Sequence, residues 1–222
     1  MNERIRPAGD PTSWGPAVDE AVNALSRGGL VVLPTDTVYG IAADAFAPTA
    51  VQALLDAKGR GRQMPPPVLI PAVGTMAGLA TDVPDAAHAL AEAFWPGGLT
   101  IIVAAQPSLA WDLGETRGTV ALRVPDHDTA LALLRRTGPL AVSSANRTGS
   151  PAALTAGEAF EQLGASVDVY LDAGQAPGGV SSSIVDATTP TLRLVRAGAI
   201  SLERLCEVAH VVGPDDDEGA AG

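Results

Sequence analysis

Apolar positions along the chain recur with two periods. Val18, Ala21, Val22 and Leu25 keep the three-to-four spacing of one helix face, and Gly28-Gly29 ends that segment. Leu30 to Leu33 is a continuous apolar run closed by Pro34, which predicts a buried strand. Thr49 is expected to cap a second helix with Val51, Leu54 and Leu55 inward and Gly59 just past its end. Further helices are predicted over 85–94, 128–136, 155–163 and 201–207, the third opening on a Thr155/Glu158 capping box. Strands are predicted at 68–70, 99–105, 120–124, 140–143, 168–172, 183–187 and 192–196. Strands outnumber what strict βαβ alternation would supply, so the pattern predicts a single α/β domain on a mixed sheet flanked by helices. Residues 1–14 are expected to be an N-terminal arm, 15–212 the domain, and 213–222 a disordered acidic tail.

Composition narrows the function classes. The 222 residues carry a formal net charge of −11, and Asp215 to Glu218 supply four of those negative charges. Non-specific nucleic-acid binding needs a basic face that displaces counterions, which an acidic chain supplies poorly. No apolar run reaches membrane-span length and no signal-peptide pattern opens the chain, so a cytoplasmic protein is the expectation. Cys206 is the single cysteine, and His88, His127 and His210 stand far apart, so no metal site made of protein ligands is expected. Lys58 is the only lysine among 14 cations. An ammonium is a compact point charge and a guanidinium a planar fork, so a site that needs the first does not accept the second.

Four stretches carry candidate chemistry, each with a plain structural alternative. Pro34-Thr35-Asp36-Thr37-Val38-Tyr39-Gly40 follows a strand, where α/β folds place ligands, although an Asx- or ST-turn also explains its polar groups. Lys58-Gly59-Arg60-Gly61-Arg62-Gln63 packs three cations into a glycine-rich loop. The helix macrodipole accounts for Lys58 and at most Arg60 but not a third charge, and an anion such as a polyphosphate accounts for all three. Ser143 to Gly149 and Gly178 to Ser183 offer hydroxyls, an amide and glycines, and serve equally as polar turns. Arg123 lies within an apolar strand and needs a partner there, either a ligand or a buried structural acid. Walker-type, dinucleotide and serine-hydrolase motifs are absent.

Taken in order, seven motifs resemble those of the threonylcarbamoyl-AMP synthase family, the YrdC-like proteins of tRNA modification. They are Pro34-Thr-Asp-Thr-Val-Tyr-Gly40, Lys58-x-Arg60, Trp95-Pro-Gly-Gly-Leu-Thr100, Val120-Ala-Leu-Arg-Val-Pro125, Ser144-Ala-Asn146, Ser182-Ser-Ile-Val-Asp186 and Val195-Arg-Ala-Gly198. The likeness spans residues 15–207 and implies a twisted sheet with a concave basic cavity. It also implies a reaction in which L-threonine, bicarbonate or CO2, and ATP give threonylcarbamoyl-AMP and pyrophosphate, a nucleotidyl transfer. Magnesium is expected to arrive with ATP, held by phosphates and water. The product is expected to pass to a separate tRNA threonylcarbamoyl transferase complex that modifies adenosine 37; direct tRNA contact is left open. Carried over residue by residue, the catalytic set is Lys58, Arg60, Ser144 and Asn146. ATP contacts are Lys58, Arg62, Thr119, Ser144 and Arg196, and threonine contacts are Thr35, Arg123 and Ser182. The chain departs from the family pattern at Gly61-Arg62, where relatives carry Pro after Lys-x-Arg, and at Pro71, where relatives often carry His. The competing readings are an RNA-binding module gripping phosphates with the Lys58–Arg62 loop, and a carbamoyl-transfer accessory domain like those of hydrogenase maturation.

Overall fold

The computed structural model describes residues 3–214, so most of the expected acidic tail, 215–222, lies outside the described residues. The strands are β1 (Ile5–Pro7), β2 (Val31–Leu33), β3 (Gly40–Asp44), β4 (Val68–Leu69), β5 (Leu99–Ala104), β6 (Thr119–Arg123), β7 (Leu140–Ser144), β8 (Val169–Asp172), β9 (Ser183–Asp186), β10 (Leu192–Arg196) and β11 (Val211–Val212). The helices are α1 (Gly15–Ser26), α2 (Pro48–Lys58), α3 (Met76–Leu79), α4 (Asp85–Phe94), α5 (Asp128–Thr137), α6 (Ala156–Leu163) and α7 (Leu202–Cys206). All strands join one sheet in the order β1-β8-β2-β3-β7-β4-β6-β5-β9-β10-β11. Pairing is mixed: β2–β3, β3–β7, β4–β7, β5–β6 and β9–β10 are antiparallel, the other five pairs parallel.

Local chemistry sets the element ends. Gly59 takes the left-handed conformation (φ 61°) that closes α2, and Thr155 Oγ1 accepts the Glu158 backbone N–H to cap α6. The Glu158 carboxylate reaches back one residue further than a capping box requires, to the N–H of Leu154. Thr49 is no cap: α2 begins at Pro48 after Ala47, using a proline where the first-turn N–H needs no partner. Residues 1–14 are also more than an arm, because Ile5–Pro7 pairs with Tyr170–Asp172 and forms one sheet edge.

Three apolar clusters show how the layers are arranged. One joins α1 and α5 to the β8–β2–β3–β7 half of the sheet through Val18, Leu25, Leu33, Leu133 and Leu171. Another covers the opposite face of that half with α2 and α6 through Ile41, Leu54, Leu55, Leu163 and Tyr170. The third backs the β6–β5–β9–β10 half with α3, α4 and α7 through Leu90, Phe94, Ile101, Leu122 and Leu205. Strand residues alternate between faces, so Thr100, Ile102, Ala121 and Arg123 turn away from this last cluster. Among the described residues no helix covers them, and that bare half-face is the floor of a cavity.

Candidate active site

The cavity measures about 240 Å³. Its floor is made by Thr100 and Ile102 of β5 and by Thr119, Ala121 and Arg123 of β6. Around it stand Thr35 and Thr37 from the turn after β2, Ser143 and Ser144 at the end of β7, and Ser182 and Arg196 beside β9 and β10. Arg60 and Pro65 to Pro67 close another side. Strand ends therefore deliver hydroxyls, and three separate segments deliver guanidinium groups.

Each of the three arginines donates to a hydroxyl. Arg60 Nη1 lies 2.9 Å from Ser143 Oγ, Arg123 Nη1 lies 3.0 Å from Thr37 Oγ1, and Arg196 Nη2 lies 3.1 Å from Ser182 Oγ. Arg123 is the most enclosed. Its Nε donates to Gly97 O at 2.8 Å and its Nη2 to the Asp36 carboxylate at 2.6 Å. Burial pulls the Arg123 pKa below its ordinary value, with Asp36 opposing that shift. Burial, then the neighbouring Arg123 and Arg60, does the same to Arg196, and burial alone to Arg60. Arg60 Nε is buried without a partner, and neither Arg60 nor Arg196 meets a carboxylate among the described residues. Two guanidinium groups without counter-charge around one hollow constitute a demand for an anion.

Lys58 and Asn146 stand behind the cavity wall. Lys58 ends α2 and is 3% exposed. Its Nζ donates to Ser144 O at 2.5 Å and to Asn146 O at 2.6 Å, and the Thr148 N–H donates to Lys58 O. Burial, helped by the nearby Arg60 charge, lowers the ammonium pKa to about 8. The Asn146 amide donates to Arg147 O and Ser150 O. Together these two residues fasten the turn that presents Ser144. Arg62 points elsewhere: it is exposed and paired with Asp112 at 2.7 Å, a contact that raises its pKa. Asp112 lies 50 positions along the chain, so no local pattern announces it.

Of the residues expected at the site, Thr35, Arg60, Thr119, Arg123, Ser144, Ser182 and Arg196 line the hollow together. Lys58 and Asn146 support it and Arg62 lies outside. Sequence reasoning passed over Thr37, Thr100 and Ser143 as individual groups. Thr37 had a signal, since it is the second hydroxyl of the Thr35-Asp36-Thr37 turn. Asp36, its side chain 16% exposed, is the structural acid that the reading of Arg123 left open.

Comparison with known proteins identifies a family. The Sua5/YciO/YrdC family model, described as "Telomere recombination", matches residues 23–198. A Mycobacterium leprae protein provisionally named as a threonylcarbamoyl-AMP synthase is 52% identical over 212 residues, covering 96% of each chain. The threonylcarbamoyl-AMP synthase of Pyrococcus abyssi is 34% identical over 194 residues, covering 87% of this chain and 56% of its own. The crystal structure of P. abyssi Sua5 complexed with L-threonine superposes with a TM-score of 0.87 at 30% identity, over 94% of this chain. The chain spans 62% of that longer structure. A motif series in order, a hollow ringed by arginines and hydroxyls, and a family match across most of the length lead to one conclusion: the chain belongs to the Sua5/YciO/YrdC family.

Proposed function

We propose that the protein is a threonylcarbamoyl-AMP synthase, a nucleotidyltransferase that works in the cytoplasm, where ATP, threonine and tRNA meet. The observation that carries the reading is the pair of uncompensated guanidinium groups, Arg60 and Arg196, beside the buried Arg123. A triphosphate answers the first two, and an amino-acid carboxylate suits the third, which keeps two N–H groups beyond its three bonds.

In the proposed reaction the threonine amine adds to CO2 and loses a proton, giving a carbamate. A carbamate oxygen forms a bond to the α-phosphorus of ATP as the bond to the bridging oxygen breaks, and pyrophosphate leaves with that electron pair. Magnesium enters as part of the nucleotide substrate. The protein positions the partners and meets the shifting phosphate charge with donors already in place. Arg60 and Arg196 do the latter, Arg123 and Ser182 hold threonine, and Thr119 and Ser144 face the nucleotide. Lys58 and Asn146 act through the turn they fasten. The product is handed to a tRNA threonylcarbamoyl transferase complex.

The RNA-binding alternative finds little support in the same loop: Lys58 is buried, Arg60 faces the hollow and Arg62 is neutralised by Asp112. The test is pyrophosphate release with threonine, bicarbonate and ATP, each omitted in turn; all three should be required. Arg60→Ala should slow release at least ten-fold, equivalent to about 1.4 kcal/mol of transition-state stabilisation. Arg123→Ala should chiefly raise the threonine KM. Release without threonine, or an Arg60→Ala variant at full rate, would refute the reading.

A further inference from the structure

Arg60 stands on the part of the cavity wall whose backbone restrains it least. Gly59 and Gly61 flank it, and glycine leaves the chain free to turn in many directions. Its guanidinium makes one hydrogen bond, to Ser143 Oγ, and its buried Nε has no partner. The loop is anchored at its two ends. There the Arg60 N–H donates to Leu55 O at 2.9 Å, and Pro67 O accepts the Val142 N–H at 2.8 Å. Across 61–66, every hydrogen bond to another part of the chain, among the described residues, belongs to Arg62. Its Nη2 donates to Asp112 Oδ1 at 2.7 Å, its Nη1 to Gln52 Oε1 at 3.4 Å, and its carbonyl accepts the Glu115 N–H at 2.8 Å. Asp112 Oδ1 also accepts the Gly114 N–H at 3.0 Å, which shapes the turn that meets Arg62. The approach is close: Gly114 takes φ 108°, and a Cβ on it would lie 2.7 Å from Arg62 O. Leu113 and Thr116 of the same segment line the hollow, so this clasp joins two of its walls.

We propose that Arg62 and Asp112 are positioning residues for Arg60, their clasp holding the Gly-Arg-Gly segment so that the guanidinium stands ready for the phosphates. The inference rests on the proposed function and deepens it. Arg62 does not touch the substrate in this role; it acts through the backbone two residues away. The Arg62 and Asp112 side chains are 45% and 44% exposed, and an ion pair so open to water adds little to stability. Its effect is therefore expected in the rate. Charge moving onto the leaving pyrophosphate must meet a donor already in place, and a small misplacement of that donor slows the step.

The test is a double-mutant cycle on kcat for pyrophosphate release at saturating substrates. Arg62→Ala should lower kcat at least three-fold while the threonine KM stays within two-fold, and Arg62→Lys, which keeps the charge, should retain at least half of the wild-type rate. Asp112→Ala should match Arg62→Ala, and the two together should cost no more than either alone. In an Arg60→Ala protein, Arg62→Ala should change nothing further, because its effect passes through Arg60. Should Arg60→Ala fail to fold, Arg60→Met supplies the same background with the side-chain stem kept. Arg62→Ala at the wild-type rate overturns the inference. So does an equal loss in both backgrounds, which would make Arg62 a residue acting independently of Arg60. A wild-type protein that releases no pyrophosphate with threonine refutes the proposed function instead, so the two failures are distinct.

Discussion

Lys58 illustrates how much of a single residue's role the chain discloses. Its uniqueness marks it, but its partners, Ser144 O and Asn146 O, are 86 and 88 positions away and are backbone atoms without any signature. The same holds for Thr37, whose meaning comes from Arg123 across 86 positions. The buried ammonium has a consequence for stability. Its folded pKa of about 8 lies below the 10.5 of a free lysine, so between those values the unfolded chain binds more protons. Stability should therefore rise with pH through that window as the folded protein sheds the proton. The clean interval is pH 8–10, because the Tyr39 hydroxyl, raised by burial to about 12, reverses the slope above it. Melting midpoints across pH 8–10 should climb in the wild type relative to Lys58→Met. Parallel profiles for the two proteins would show that Lys58 does not titrate there.

Among elements, those with a strong period or a continuous apolar run were legible, down to the three-residue β2 and the two-residue β4, whereas β3, β1 and β11 were not. The helices with leucine stripes fall where spacing puts them, and β5 and β6 were evident from Ile101, Val103, Val120 and Leu122. In contrast, β3 reads Gly-Ile-Ala-Ala-Asp, with little branched side-chain signal, and it lay hidden behind the polar motif ending at Gly40. Its smallness has a use: a Cβ on Gly40 would sit 2.6 Å from Val142 Cγ1 on the neighbouring strand. The edge strands β1 and β11 are too short for any period to emerge. Helix caps can be tested apart from the site. Thr155→Ala should cost about 1 kcal/mol through loss of the α6 cap, read by urea unfolding, with pyrophosphate release unchanged. A loss of activity matching the loss of stability would tie α6 to the site instead.

At the scale of the molecule, mixed α/β architecture and family were readable because seven motifs occur in order, whereas the hollow itself was not, since it arises from where helices fail to cover the sheet. Beyond that, no helix among the described residues is long and apolar enough to cross a membrane. The cavity floor and the apolar core are two faces of the same strands, so Leu122 points into one while Ala121 and Arg123 point into the other. Leu122→Ala should therefore destabilise by about 2–5 kcal/mol in urea unfolding and also raise the threonine KM. A stability loss with unaltered kinetics would mean the two faces are mechanically independent. Where loops hold an active site, new specificity can be grafted by exchanging loops. Here the floor of the recognition surface, Arg123 included, is woven into the sheet, so redesigning that floor for another amino acid would mean repacking the reverse side in the same step.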